Sequence, residues 1–117
     1  MLDFADSTQV YISPGITDLR KSFNGLASIV KLQFKLDPYS KCMFVFCNRG
    51  HNLIKILQWD GSGLWLFMKR LDKSNFRWPT NASEVKLIST KELRWLLDGL
   101  SIEQKNAFKD RHPSIVI

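Results

Sequence analysis

The sequence predicts an α+β fold, a mainly antiparallel sheet with helices packed on it. Residues 42–71 alternate dense apolar runs with short turn-like breaks, the pattern of a β-meander. Residues 18–35 place apolar side chains at helical spacing, and residues 89–99 open on a capping box and close on glycine. A chain of 117 residues, 44% hydrophobic and 24% charged, is globular in composition and long enough for one core. The expectation is therefore a single domain over 1–117, with its core at about 8–102 and a C-terminal tail at 103–117.

The first element is the β-prone run "TQVYI" (8–12), closed by the turn signal Ser13-Pro14-Gly15. A helix over 18–35 follows, because Leu19, Phe23, Leu26, Ala27, Val30 and Phe34 share one stripe of a 3.6-residue period. Thr17 or Asp18 is placed to cap its first amides, and "DPYS" (37–40) ends it. Three strands come next, at about 42–47, 53–59 and 64–71, separated by "NRGHN" and "DGSG". If the second hairpin pairs Trp59 with Leu64, Lys55 falls opposite Met68, and Lys55, Lys69 and Arg70 come to the sheet end that also holds Arg49. Both faces of this meander are apolar, so both must be covered. Beyond it, "NFRWP" (75–79) reads as a short extended piece and "EVKLI" (84–88) as a strand. The last helix, 90–99, has the capping box Ser89-Thr90-Lys91-Glu92, an apolar face of Leu93, Leu96, Leu97 and Leu100, and Gly99 to close it.

Composition excludes several functions. No apolar stretch reaches the roughly 20 residues of a membrane-spanning helix, and the N-terminus "MLDFADSTQ" has acids where a signal peptide has cations, so the expected location is cytoplasmic. Cys42 and Cys47, five apart in one strand, point to opposite faces and cannot bridge each other, so two buried thiols are expected. With His51 they lack the spacing of a zinc site, so no metal is expected. Asp60 and Asp72 do not make the converging carboxylates of metal-dependent phosphoryl transfer, and Gly61 and Gly63 belong to a turn rather than a phosphate loop. No nucleophile has an arranged base; the chain is expected to be non-enzymatic and to need no cofactor.

Charge is the feature that remains. The net charge is +6, and between residues 41 and 77 seven cations face only Asp60 and Asp72, so five of the six net charges lie in that third of the chain. Such a concentration fits phosphate or an acidic partner, with a nearby aromatic such as Trp78 able to stack on an unpaired base.

The strings "DLRKSFNGL" (18–26), "FVFCNR" (44–49), "IKILQWDGSGLWLFMKRL" (54–71), "FRWP" (76–79) and "LRWLLDGL" (93–100) together resemble the TnpB-type accessory proteins of the sixty-six family of bacterial insertion sequences, distinct from the RNA-guided nuclease of the same name. The likeness runs in order over about residues 10–102. It implies a protein encoded beside a larger transposase, needed with it for transposition, and not itself the catalyst. The family's recurrent polar positions fall here on Asp18, Arg20, Lys21, Asn48, Arg49, Lys55, Trp59, Asp60, Lys69, Arg70, Arg77 and Trp78. After Arg49 this chain departs from the family: Gly50-His51-Asn52 stands where further arginines and an aspartate are usual.

Two mechanisms follow. In the first, DNA is bound through Arg20, Lys21, Arg49, Lys55, Lys69, Arg70, Lys73 and Arg77 on phosphates, with Trp78 stacking. In the second, the same cations dock the chain on the transposase or another accessory protein. No membrane partner is expected in either.

Overall fold

The computed structural model describes residues 5, 7–80 and 84–102; the expected tail at 103–117 lies outside them. Its elements are β1 (Val10–Ile12), α1 (Phe23–Ser28) continued by a π-helical segment (Ile29–Gln33), β2 (Met43–Cys47), β3 (Leu53–Trp59), β4 (Leu64–Arg70), β5 (Lys86–Ile88) and α2 (Thr90–Leu97). They form one five-stranded sheet in the order β4-β3-β2-β1-β5. The meander is as expected: β2, β3 and β4 are antiparallel neighbours, Trp59 pairs with Leu64 and Lys55 with Met68. The remaining strands come from far along the chain. β1 runs parallel to β2 across the α1 crossover, and β5 is antiparallel to β1 on the far edge.

Strand alternation divides the sheet into two dry faces. One face gathers Val10, Ile12, Met43, Val45, Ile54 and Ile56 under Leu93 and Leu96 of α2. The other sets Phe44, Phe46 and Leu57 against Leu26, Ala27, Ile29 and Val30 of the α1 segment. The sheet is thus sandwiched between its helices, which is why the central strands carry apolar residues on both sides.

α2 ends as its sequence requires. Ser89 Oγ accepts from the Glu92 amide and the Glu92 carboxylate accepts from the Ser89 amide, completing the capping box. At the other end Gly99 takes φ of +82°, its amide donating to the Leu96 carbonyl and that of Leu100 to the Trp95 carbonyl, a Schellman closure.

The first helix corrects its expectation, starting at Phe23 rather than Asp18. Asp18 does not cap it, because its carboxylate is taken by the Arg20 amide and guanidinium. Residues 18–22 form a turn instead, which passes so close to α1 that a side chain at Gly25 would lie 2.8 Å from Lys21 Cβ. Phe23 consequently leaves the apolar stripe and is 41% exposed. From Ile29 the helix widens to i→i+5 bonding, with the Phe34 amide on the Ile29 carbonyl. That wider turn lets Ile29, Val30 and Phe34 all face the sheet, where Phe34 stacks on Phe46 at 6.0 Å.

The two thiols are free and on opposite faces: Cys47 packs under α2 and Cys42 with the α1 cluster. Burial pushes the Cys47 thiol up to about 12, so it is protonated and unreactive at neutral pH. Alkylation of the native protein, read by mass spectrometry, should therefore label Cys42 well before Cys47; equal rates would mean that β2 is not buried as described.

Candidate nucleic-acid interface

The cations do not form one continuous rim. Because side chains alternate along β3 and β4, Lys55 and Arg70 stand on the α1 face and Lys69 on the α2 face. Lys69 donates to the Leu97 carbonyl at the C-terminus of α2, where a cation is favoured by the unpaired carbonyls and the helix dipole. Lys55 is half-buried and donates to the Lys21 carbonyl at 3.1 Å, bracing the 18–22 turn against β3. These two expected contacts are thus employed in holding the fold.

Three arginines do converge. Arg20 from the 18–22 turn, Arg49 from the β2–β3 loop and Arg70 from the end of β4 line one open hollow of about 560 Å³, with Thr17, Asp18 and Asn48 in its wall. Each is exposed, and each is presented by a segment with its own fixing bonds. Arg20 is held by Asp18 through Nε–Oδ1 and Nη2–Oδ2 contacts of 3.0 and 2.8 Å. Those bonds hold the Asp18 carboxyl well below the usual carboxylate range, so this pair stays fully charged and nearly neutral as a unit. Being exposed, it orients the guanidinium more than it stabilises the fold.

Arg49 sits at the tip of a braced loop. Asn48 Oδ1 accepts from the Asn52 and Leu53 amides, both at 3.0 Å, and its Nδ2 donates to Asn52 Oδ1 at 2.7 Å. The 71–76 segment pins the loop from the other side, with the Leu71 amide on the Asn52 carbonyl and the Phe76 amide on that of His51. His51 takes φ of +55° to close this turn, which explains why the loop holds its shape with only Gly50 as glycine. Among the described residues, no carboxylate pairs with Arg49 or Arg70.

The remaining expected residues are placed elsewhere. Lys21 turns into a neighbouring hollow of about 540 Å³, shared with Lys35 and Glu84 and separated from the first by residues 16–18. Lys73 and Arg77 are exposed on the segment after β4. Trp78 corrects the expectation of a stacking aromatic: it is 5% exposed, in the α2-side core, and its indole donates to the Ser13 carbonyl at 2.9 Å. Alternation in "FRWP" carries the signal, since Phe76 and Trp78 point inward and Arg77 outward. The exposed indole is Trp65, 55% accessible on β4. Among the described residues no group of three or more His, Cys, Asp or Glu side chains comes together as a metal site would need, and no helix is long and apolar enough to cross a membrane.

Comparison with known proteins places the chain in a family. The family described as IS66 Orf2 like protein matches residues 8–107, which includes every element above. Uncharacterized protein y4hO of Sinorhizobium fredii (strain NBRC 101917 / NGR234) is 39% identical over 100 residues, 86% of this chain and 87% of that one. Uncharacterized protein y4jC of the same organism is 29% identical over 92 residues, 79% of each chain. No solved structure gives a significant match. The chain belongs to the IS66 Orf2-like family and is an accessory protein of a bacterial insertion sequence.

Proposed function

We propose that the protein is a non-catalytic factor in transposition that grips the DNA backbone with the arginine hollow. The observation that carries this reading is the convergence of Arg20, Arg49 and Arg70 on one open hollow, with Arg49 and Arg70 unmatched by any described carboxylate. Like charges held together repel, and an anion between them relieves the repulsion. Guanidinium suits this role because its planar fork donates two parallel hydrogen bonds to a phosphate, and its charge persists at every physiological pH. Backbone contacts of this kind position a protein on DNA without reading its sequence, so binding is weak in base preference. Lys73 and Arg77, exposed on the segment after β4, and Lys21 in the neighbouring hollow are the flanking cations available to further phosphates.

The test needs only purified protein, labelled duplex DNA and a salt titration followed by anisotropy. If Arg49, Arg70 and two flanking cations neutralise four phosphates, log K falls against log salt with a slope of about −3.6. Exchange of the duplex sequence should change the affinity little. No binding at low salt, or a slope near zero, overturns the DNA reading and assigns the hollow to an acidic surface on the transposase or another accessory protein.

A further inference from the structure

We propose that the protein forms a two-fold dimer by antiparallel pairing of β4 with β4 of a second copy. Among the described residues the outer edge of β4 has no partner strand, and at seven residues it is as long as β3. It contains no proline or glycine, and its cations stand only at its end, so the devices that normally blunt an exposed edge are missing from its centre. Apolar side chains crowd it instead: Trp65 is 55% and Met68 64% exposed.

Trp65 is also held in place. Its indole donates to Asp60 Oδ2 at 2.7 Å, and its ring stacks on Phe67 at 5.9 Å and 8°. An exposed indole fixed on a half-buried ring is a ready anchor for a protein partner. Nucleic acid fits this patch poorly, because it lies on the face opposite the arginine hollow and beside the Asp60 carboxylate, which repels phosphate.

The edge is complementary to itself. Centred on Phe67, an antiparallel pairing sets Trp65 against Lys69, Leu66 against Met68 and Leu64 against Arg70 of the second copy. The Lys69 stem then lies along the indole and the apolar pairs close the other face. This arrangement also brings the Asp60 end of each copy toward the basic end of the other. Parallel pairing would instead place Lys69 and Arg70 beside their own copies. The axis of the antiparallel pair is perpendicular to the sheet, so both arginine hollows open on the same side.

Two measurements test this. Sedimentation equilibrium of the unmodified chain should give twice the 13.6 kDa chain mass as concentration rises. Opposed residues have Cα atoms about 4.5–5.5 Å apart, within disulfide reach. Trp65→Cys combined with Lys69→Cys should therefore yield a covalent dimer under mild oxidant, while the parent and each single variant should not. A chain that stays monomeric at all concentrations overturns the proposal and leaves the edge to its own 103–117 segment or to another protein. A dimer that cross-links equally in a single variant, or not in the folded double variant, overturns this pairing.

Discussion

Phe46→Ala is expected to destabilise the protein by about 3–5 kcal/mol, the largest effect of any single change proposed for the fold. Phe46 is fully buried in β2, the middle strand of the sheet, and stacks on Phe34 beyond the π-helical segment. Truncation leaves a ring-sized cavity between sheet and helix, and neither wall can close it, because β2 is hydrogen-bonded on both sides. Across the sheet, Leu96→Ala should cost about 2–5 kcal/mol, because it empties the packing of α2 on β2 and β3. Phe23→Ala is the contrast: with 41% of its surface already exposed it should cost far less, although its spacing in the sequence suits the core. Denaturant midpoints at constant slope measure all three. Equal losses for Phe23 and Phe46 would mean that α1 is rotated from the position described.

Arg49→Ala with Arg70→Ala should leave stability within about 0.5 kcal/mol per site and weaken DNA binding severely. Neither side chain has a described partner to lose, and both are exposed. If each contacts one phosphate, the salt slope falls by about 1.8 units, which between 1 M and 0.1 M salt amounts to roughly 60-fold in affinity. Lys69→Ala is the informative control. Sequence alone pairs it with Arg70 as a phosphate contact, whereas its bond to the Leu97 carbonyl predicts a cost to α2 and little change in DNA affinity.

Several features were legible in the sequence because they depend on residues close in the chain. The β2–β4 meander follows from dense apolar runs separated by Asn- and Gly-rich breaks, and Asp60-Gly61-Ser62-Gly63 sets the second hairpin's register: Asp60 Oδ1 accepts from the Ser62 and Gly63 amides. Ser89, Glu92 and Gly99 likewise mark both ends of α2 by local hydrogen bonding alone. The parallel pairing of β1 with β2 was not readable, since it joins segments about thirty residues apart and no short-range pattern records it. The start of α1 was misplaced for a related reason. Asp18 is a good capping residue by type, and only the folded turn shows Arg20 taking its carboxylate. At the candidate site, the sequence lists the cations of one stretch of chain but does not sort them by face. Lys69 and Arg70 are neighbours in the chain and stand on opposite sides of the sheet, and Trp78 is buried because Ser13 offers its indole a carbonyl. Arg20, placed beside Arg49 and Arg70 by the turn at 18–22, completes a group that spans fifty residues of chain.

Whether Arg49 and Arg70 form the core of a phosphate-binding hollow is decided by the salt slopes of the unmodified protein and the Arg49→Ala, Arg70→Ala variant on one duplex. A slope that drops from about −3.6 to about −1.8, with an unchanged denaturant midpoint, is the result predicted. Identical slopes for two equally stable proteins would contradict the claim, because DNA binding would then owe nothing to the hollow.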